Sequence, residues 1–108
     1  GVLSATVQAV EVLDACLARV ETAVRAQGGV LAITADHGNA EQMWDEARGE
    51  PHTAHTTNPV PFVLVGDGLA GLTLEPGLLA DVAPTLLDLA GLPRPAAMTG
   101  RSLLRRAT

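Results

Sequence analysis

The chain has 108 residues, enough for one small domain, and carries a formal charge of −5 with seven arginines and no lysine. Hydrophobic residues make up 47% but aromatics only 2%, Trp44 and Phe62, so any core must be built from Leu, Val, Ile and Ala. The acidic balance argues against a nucleic-acid partner, which needs clustered basic surface to displace counterions, and no apolar run approaches the roughly 20 residues of a membrane span.

In chain order, Val10, Leu13, Leu17, Val20 and Val24 recur at steps of three and four and predict an amphipathic helix over about residues 4–27, ended by Gly28-Gly29. Cys16 lies beside that stripe and reads as a small, buried or half-buried hydrophobe without a role. As a lone cysteine it has no internal disulfide partner, and with no signal-peptide pattern in view it suits a reducing cytoplasm. Val30 to Ala35 is a continuous apolar run, as expected of a strand covered on both faces. A second such run, Val60 to Val65, contains Pro61, which denies one ladder donor and predicts a strand that starts late or lies near an edge.

The 22 positions from Gly38 to Pro59 make a long loop, and Asn39 to Trp44 could fill part of it with a turn of helix, Trp44 serving as a packing anchor. After a Gly-rich connection, Asp81 can cap a helix through about Leu89, with Pro84 in its first turn and Gly91 closing it. The tail, with Arg101, Arg105 and Arg106, reads as a solvated basic segment. Helix, strand, long loop, strand, helix is a piece of an α/β sandwich.

The chemistry concentrates in "ITADHGNAEQMW". Asp36-His37 stands where the first strand runs out, at the carboxyl end where open α/β sheets bind ligands, and Gly38 lets the backbone turn away. A carboxylate oxygen with an imidazole nitrogen suits Mn²⁺, Zn²⁺ or Fe²⁺; the pair by itself is more simply a capping Asp beside a surface His, and it is the return of the loop with His55 that shifts the balance toward a metal site. The loop returns with His52 and His55, so all three histidines fall between positions 37 and 55. Three protein ligands are the usual minimum for one catalytic ion and a two-metal site needs about twice as many, and neither Ser4 nor Ser102 has a base nearby in sequence. The residues read as half an active site.

"ITADHGNAEQM", then "PHTAHTTNPVPFVLVG" and "LADVAPTLLDLAGLPRPAAMTGRSLL", resemble the C-terminal part of the phosphatase domain in the cofactor-independent phosphoglycerate mutases, members of the alkaline phosphatase superfamily. DHGN occurs in several of those relatives, whereas its combination with HTAHTTNPVP is more specific to the mutases. The resemblance spans nearly the whole chain. It implies an α/β fragment of an alkaline-phosphatase-like α/β/α sandwich, with residues 1–108 the C-terminal fragment of the metal-binding phosphatase domain. It also implies Asp36 and His37 as ligands of one Mn²⁺ and His55 as a ligand of the other, with His52 solvent-facing or behind the ligands.

In the full-length parent two Mn²⁺ would serve the interconversion of 3-phosphoglycerate and 2-phosphoglycerate through a phosphoserine. The nucleophile, the remaining ligands and the residues that grip the phosphoglycerate would lie upstream of Gly1. The 108 residues by themselves are then expected to be inactive, to bind Mn²⁺ weakly or not at all, and to self-associate through the first helix or a strand edge. Two other readings are a fragment of a phosphopentomutase or other metal-dependent phosphatase of the superfamily, and a non-enzymatic α/β module that binds partners through the 38–59 loop.

Overall fold

The computed structural model describes residues 2–107. In order these form α1 (Leu3–Ala26), β1 (Leu31–Thr34), β2 (Trp44–Asp45), β3 (Glu50–Pro51), β4 (Phe62–Val65), β5 (Leu72–Leu74), α2 (Val82–Leu89) and β6 (Leu104–Arg106), with 3-10 turns at Asp67–Leu69 and Leu79–Asp81. The class is α/β, with small antiparallel sheets, and the chain divides into two units, residues 1–68 and 69–108.

In the first unit, α1 stops where the glycines require it. Gly28 takes φ 71° and its N–H donates to the Arg25 carbonyl, while the Gly29 N–H reaches back to Val24 at 3.0 Å. These two bonds satisfy carbonyls that the helix end would otherwise leave unpaired. The Arg25 guanidinium in the last turn pairs with Glu21 at 3.1 Å and with Asp67 at 2.5 Å. α1 lies against β1, yet among its described residues none is fully buried, and Leu13 of the apolar stripe is 61% exposed. Cys16 is exposed rather than buried, because the helix face it occupies has no cover.

β1 pairs antiparallel with β4 in the register Leu31–Val65, Ala32–Leu64, Ile33–Val63 and Thr34–Phe62. Pro61 does delay the second strand to Phe62, and its free carbonyl accepts the Thr34 hydroxyl at 2.8 Å. Neither strand is covered on both faces: β1 is at most half-buried, and Val63 stands exposed. The continuous apolar pattern marks surface that these described residues do not bury.

Of the helical turn expected over residues 39–44 there is one hydrogen-bonded turn, the Gln42 N–H donating to the Asn39 carbonyl at 3.2 Å, and a hairpin follows, Trp44 opposite Pro51 and Asp45 opposite Glu50. Its turn is made locally. The Asp45 carboxylate accepts the Arg48 N–H at 3.1 Å, its carbonyl accepts the Gly49 N–H at 2.8 Å, and Gly49 takes φ 64°. Trp44, expected to serve as a packing anchor, is a half-exposed strand residue.

The second unit holds the best-buried side chains, Leu103 and Leu104 at 3% exposure and Thr85 at 0%. Two strands here escape the sequence pattern: β5, within the Gly-rich connection, and β6, within the basic tail, paired antiparallel as Leu72–Arg106, Thr73–Arg105 and Leu74–Leu104. The tail arginines are correspondingly engaged, Arg101 and Arg105 with Glu75 and Arg106 with Asp88.

α2 spans the expected residues and ends at Gly91, φ 71°, by the same pair of backbone bonds that closes α1. Asp81 precedes it but does not cap it with its side chain. Its buried carboxylate turns away to accept the Leu78 N–H at 2.8 Å and the Arg101 N–H at 2.9 Å. Those two bonds join the 3-10 turn to the tail, which an α2 cap could not do. Thr85 completes the junction, donating its hydroxyl to the Asp81 carbonyl at 2.7 Å and accepting the Leu103 N–H at 2.9 Å.

Candidate metal centre

The end of β1 and the return of the 38–59 loop meet at one isolated bridge. The Gly38 N–H donates to Thr56 O at 3.1 Å, and the Thr56 N–H donates back to Gly38 O at 2.7 Å. Each bridge residue follows a histidine in sequence, and the two imidazoles stack, with ring centroids 3.7 Å apart and planes inclined by 15°. His37 Nε2 lies 3.4 Å from Asp36 Oδ1. The structure thus brings His37 and His55 together from 18 positions apart and leaves Asp36 beside them, 88% exposed.

His37 Nδ1 is 3.0 Å from the carbonyl oxygen of Gly38. A carbonyl only accepts, so Nδ1 carries the proton and the lone pair of the neutral ring sits on Nε2, toward the Asp36 carboxylate. A carboxylate with a neutral imidazole is a donor set suited to a divalent first-row ion. Stacking limits what the pair of rings can do, because each nitrogen lone pair lies in its own ring plane and nearly parallel planes do not converge on one ion. Asp36, His37 and His55 do not therefore close around a single cation. Among the described residues no group of three or more His, Cys, Asp and Glu side chains is arranged to hold a metal ion.

His52 belongs to the hairpin, where its N–H donates to the Met43 carbonyl at 2.9 Å and extends the ladder by one bond.

Glu41 is the residue that the sequence left within a helix turn. Its Oε1 accepts the Asn39 N–H at 2.5 Å, and its Oε2 accepts the Thr56 hydroxyl at 2.8 Å and the Asn58 amide at 3.1 Å. The Thr56 hydroxyl foremost, with Asn58 and the Asn39 N–H, holds the Glu41 carboxyl below the usual range for glutamate. A hint of this lies in the polar run Thr56-Thr57-Asn58 and the carboxylate two residues after Asn39, but that the two segments meet is not legible from either alone.

Comparison with known proteins places this chain in a family. Residues 1–94 match the family described as the Metalloenzyme superfamily. Over 104 residues the chain is 62% identical to the 2,3-bisphosphoglycerate-independent phosphoglycerate mutase of Syntrophotalea carbinolica, and 59% identical to that of Desulforudis audaxviator. It is 55% identical to the phosphoglycerate mutase 1 of Methanosarcina acetivorans. Each match covers 96% of this chain and 20% of the relative, so the chain spans about a fifth of the length of the curated relatives it matches. Among the described residues no helix is long and apolar enough to cross a membrane. With the family match running from the start of α1 through α2 and across the Asp36, His37 and His55 cluster, the chain belongs to the Metalloenzyme superfamily.

Proposed function

We propose that the chain is the C-terminal part of a cytoplasmic, metal-dependent phosphoglycerate mutase that interconverts 3-phosphoglycerate and 2-phosphoglycerate through a phosphoserine. One observation carries the site assignment: the His37 and His55 rings stand 3.7 Å apart at the end of β1, with the Asp36 carboxylate against His37. Ions in two-metal sites lie about 3.5–4 Å apart, so two stacked rings at this spacing suit one ion each, whereas they do not suit a shared ion.

In this reading Asp36 Oδ and His37 Nε2 hold one Mn²⁺ and His55 a second. Paired cations of this kind neutralise charge on a transferring phosphoryl group and lower the pKa of a bound hydroxyl. The chain's own residues do the positioning. The Gly38 carbonyl fixes the His37 tautomer, and the Gly38–Thr56 bridge sets the two imidazoles beside each other. Three ligands fall short of two catalytic coordination shells, so these 108 residues alone are expected to bind Mn²⁺ weakly and to leave 3-phosphoglycerate unchanged.

A chimera tests the reading. The corresponding fifth of the Syntrophotalea carbinolica enzyme is replaced by this chain and the product is assayed with 3-phosphoglycerate and Mn²⁺. Turnover that disappears with His37→Ala or with His55→Ala is expected. A folded chimera without turnover, or turnover that survives both substitutions, contradicts it.

The apolar stripe of α1 supports a further point about the isolated 108 residues. Val10, Leu13 and Val20 are all exposed on it, and water penalises such surface at roughly 25 cal/mol per Å². The chain by itself is expected to self-associate through this face. Sedimentation equilibrium that finds a monomer at every concentration excludes that.

A further inference from the structure

Glu41 tethers both arms of the loop that carries the histidines. Its two oxygens accept from Asn39, one residue past the bridge on the outgoing arm, and from Thr56 and Asn58 on the returning arm. Thr56 is also the bridge partner of Gly38 and follows His55 directly, while Gly38 follows His37 directly. The carboxylate therefore closes a ring of bonds whose other side is the backbone bridge between the two histidine-bearing segments.

Gly38 leaves room for this arrangement. A Cβ built on Gly38 would collide with the Thr56 hydroxyl and stand 2.5 Å from Glu41 Oε1 and 2.8 Å from Oε2. The carboxylate thus occupies space that only a glycine leaves open. Glu41 spends three of its roughly four acceptor positions on Asn39, Thr56 and Asn58, and among the described residues it joins no group of three or more His, Cys, Asp and Glu side chains arranged to hold a metal ion.

We propose that Glu41 is a positioning residue for the metal centre: by hydrogen-bonding Asn39, Thr56 and Asn58 together it holds the His55 imidazole against that of His37. The inference rests on the reading of Asp36, His37 and His55 as metal ligands. It adds a residue that touches no metal and acts through the loop backbone. Partners that orient ligands in this way commonly contribute about 10- to 100-fold to metal affinity.

The effect comes from bonding geometry and not from the negative charge, so the substitutions separate the two. In the full-length chimera, Glu41→Ala removes every acceptor, and Mn²⁺ affinity is expected to fall by about 10- to 100-fold. Glu41→Gln retains one acceptor oxygen for Asn39, and its amide can donate to the Thr56 hydroxyl and to a flipped Asn58 side chain; affinity is expected to stay within about threefold of the parent. Thr56→Val, which deletes only the hydroxyl, should weaken binding less than Glu41→Ala, and the double variant should be no weaker than Glu41→Ala alone.

A metal-free measurement complements these. Stacked imidazoles shift each other's ring protons upfield in the nuclear magnetic resonance spectrum, and that shift should vanish from His37 and His55 in apo Glu41→Ala while persisting in Glu41→Gln. Retention of the ring shift in Glu41→Ala overturns the proposal, as does a Glu41→Gln protein that loses as much affinity as Glu41→Ala, which would assign the effect to charge. If His37→Ala and His55→Ala leave Mn²⁺ affinity unchanged, the ligand assignment fails instead, and the ring shift still decides whether Glu41 positions the rings.

Discussion

Two carboxylates hold two irregular segments of this chain, in opposite ways. Asp81 is buried and receives backbone N–H groups, from Leu78 and Arg101, so it fastens main chain to main chain in the second unit. Glu41 is exposed and receives mostly side chains, from Thr56 and Asn58, so it fastens the neck of a loop, where the two arms are otherwise joined by the Gly38–Thr56 backbone bridge. A buried donor stripped of its partner pays for its full desolvation, whereas an exposed one falls back on water. Loss of the first kind of tie should therefore unfold the tail of the second unit, and loss of the second kind should misplace the histidines and leave the fold intact.

The largest effect is expected where backbone meets backbone. A Cβ on Gly100 would collide with the Ala80 carbonyl oxygen, with the Ala80 carbon 2.7 Å away and Asp81 Oδ1 at 2.9 Å. None of these can rotate aside freely. Gly100→Ala should cost about 1–3 kcal/mol or more, measurable as a lower denaturation midpoint. Gly38→Ala meets only side chains, Thr56 and Glu41, so it should disturb the histidine stack with a smaller loss of stability. Equal midpoint shifts for the two variants would erase the distinction between the ties.

Thr85→Val comes next. It keeps the shape of a fully buried side chain but leaves the Leu103 N–H without its acceptor, which should cost about 1–3 kcal/mol. Hydrogen exchange at the Leu103 amide checks it directly: the valine variant should lose protection there while the β1–β4 amides keep theirs.

Acid provides the mildest probe. Three carboxyls that hold the tail are depressed below their ordinary values: Asp81 by the N–H groups of Leu78 and Arg101, Glu75 by Arg101 and Arg105, and Asp88 by the Ser102 hydroxyl and Arg106. A carboxyl depressed in the folded state contributes stability that is complete above its unfolded pKa, about 3.9 for Asp and 4.3 for Glu. That contribution is lost as pH falls through the lower folded values. Protection of the tail amides, corrected for intrinsic exchange, should be flat from pH 7 to about 5 and decline below about 4. A decline already under way at pH 6 would mean that other groups govern the tail.

The same contrast explains what the sequence made legible. α1, β1, β4 and α2 follow from apolar runs, from a proline and from glycines at the helix ends, all of which act within a few residues. β5 and β6 are three residues each and exist because they pair with each other across thirty or more positions, which no local pattern announces. Asp81 looked like a helix cap for the same reason: its actual partner, the Arg101 N–H, is 20 positions away. At the site, Asp36, His37 and His55 stood out by residue type, and the structure stacks the two histidines on each other. Glu41 did not, because its significance depends on Thr56 and Asn58 arriving opposite it.

The division of the two histidines between two ions is most directly tested by counting metal. The full-length chimera, stripped of metal and titrated with Mn²⁺, should bind two ions per chain. His55→Ala should bind one ion with near-parental affinity, through the site that retains Asp36 and His37, and His37→Ala should keep the other. Two ions bound at unchanged affinity in both variants, or the loss of both ions in each, would contradict an arrangement in which stacked rings 3.7 Å apart each hold a separate cation.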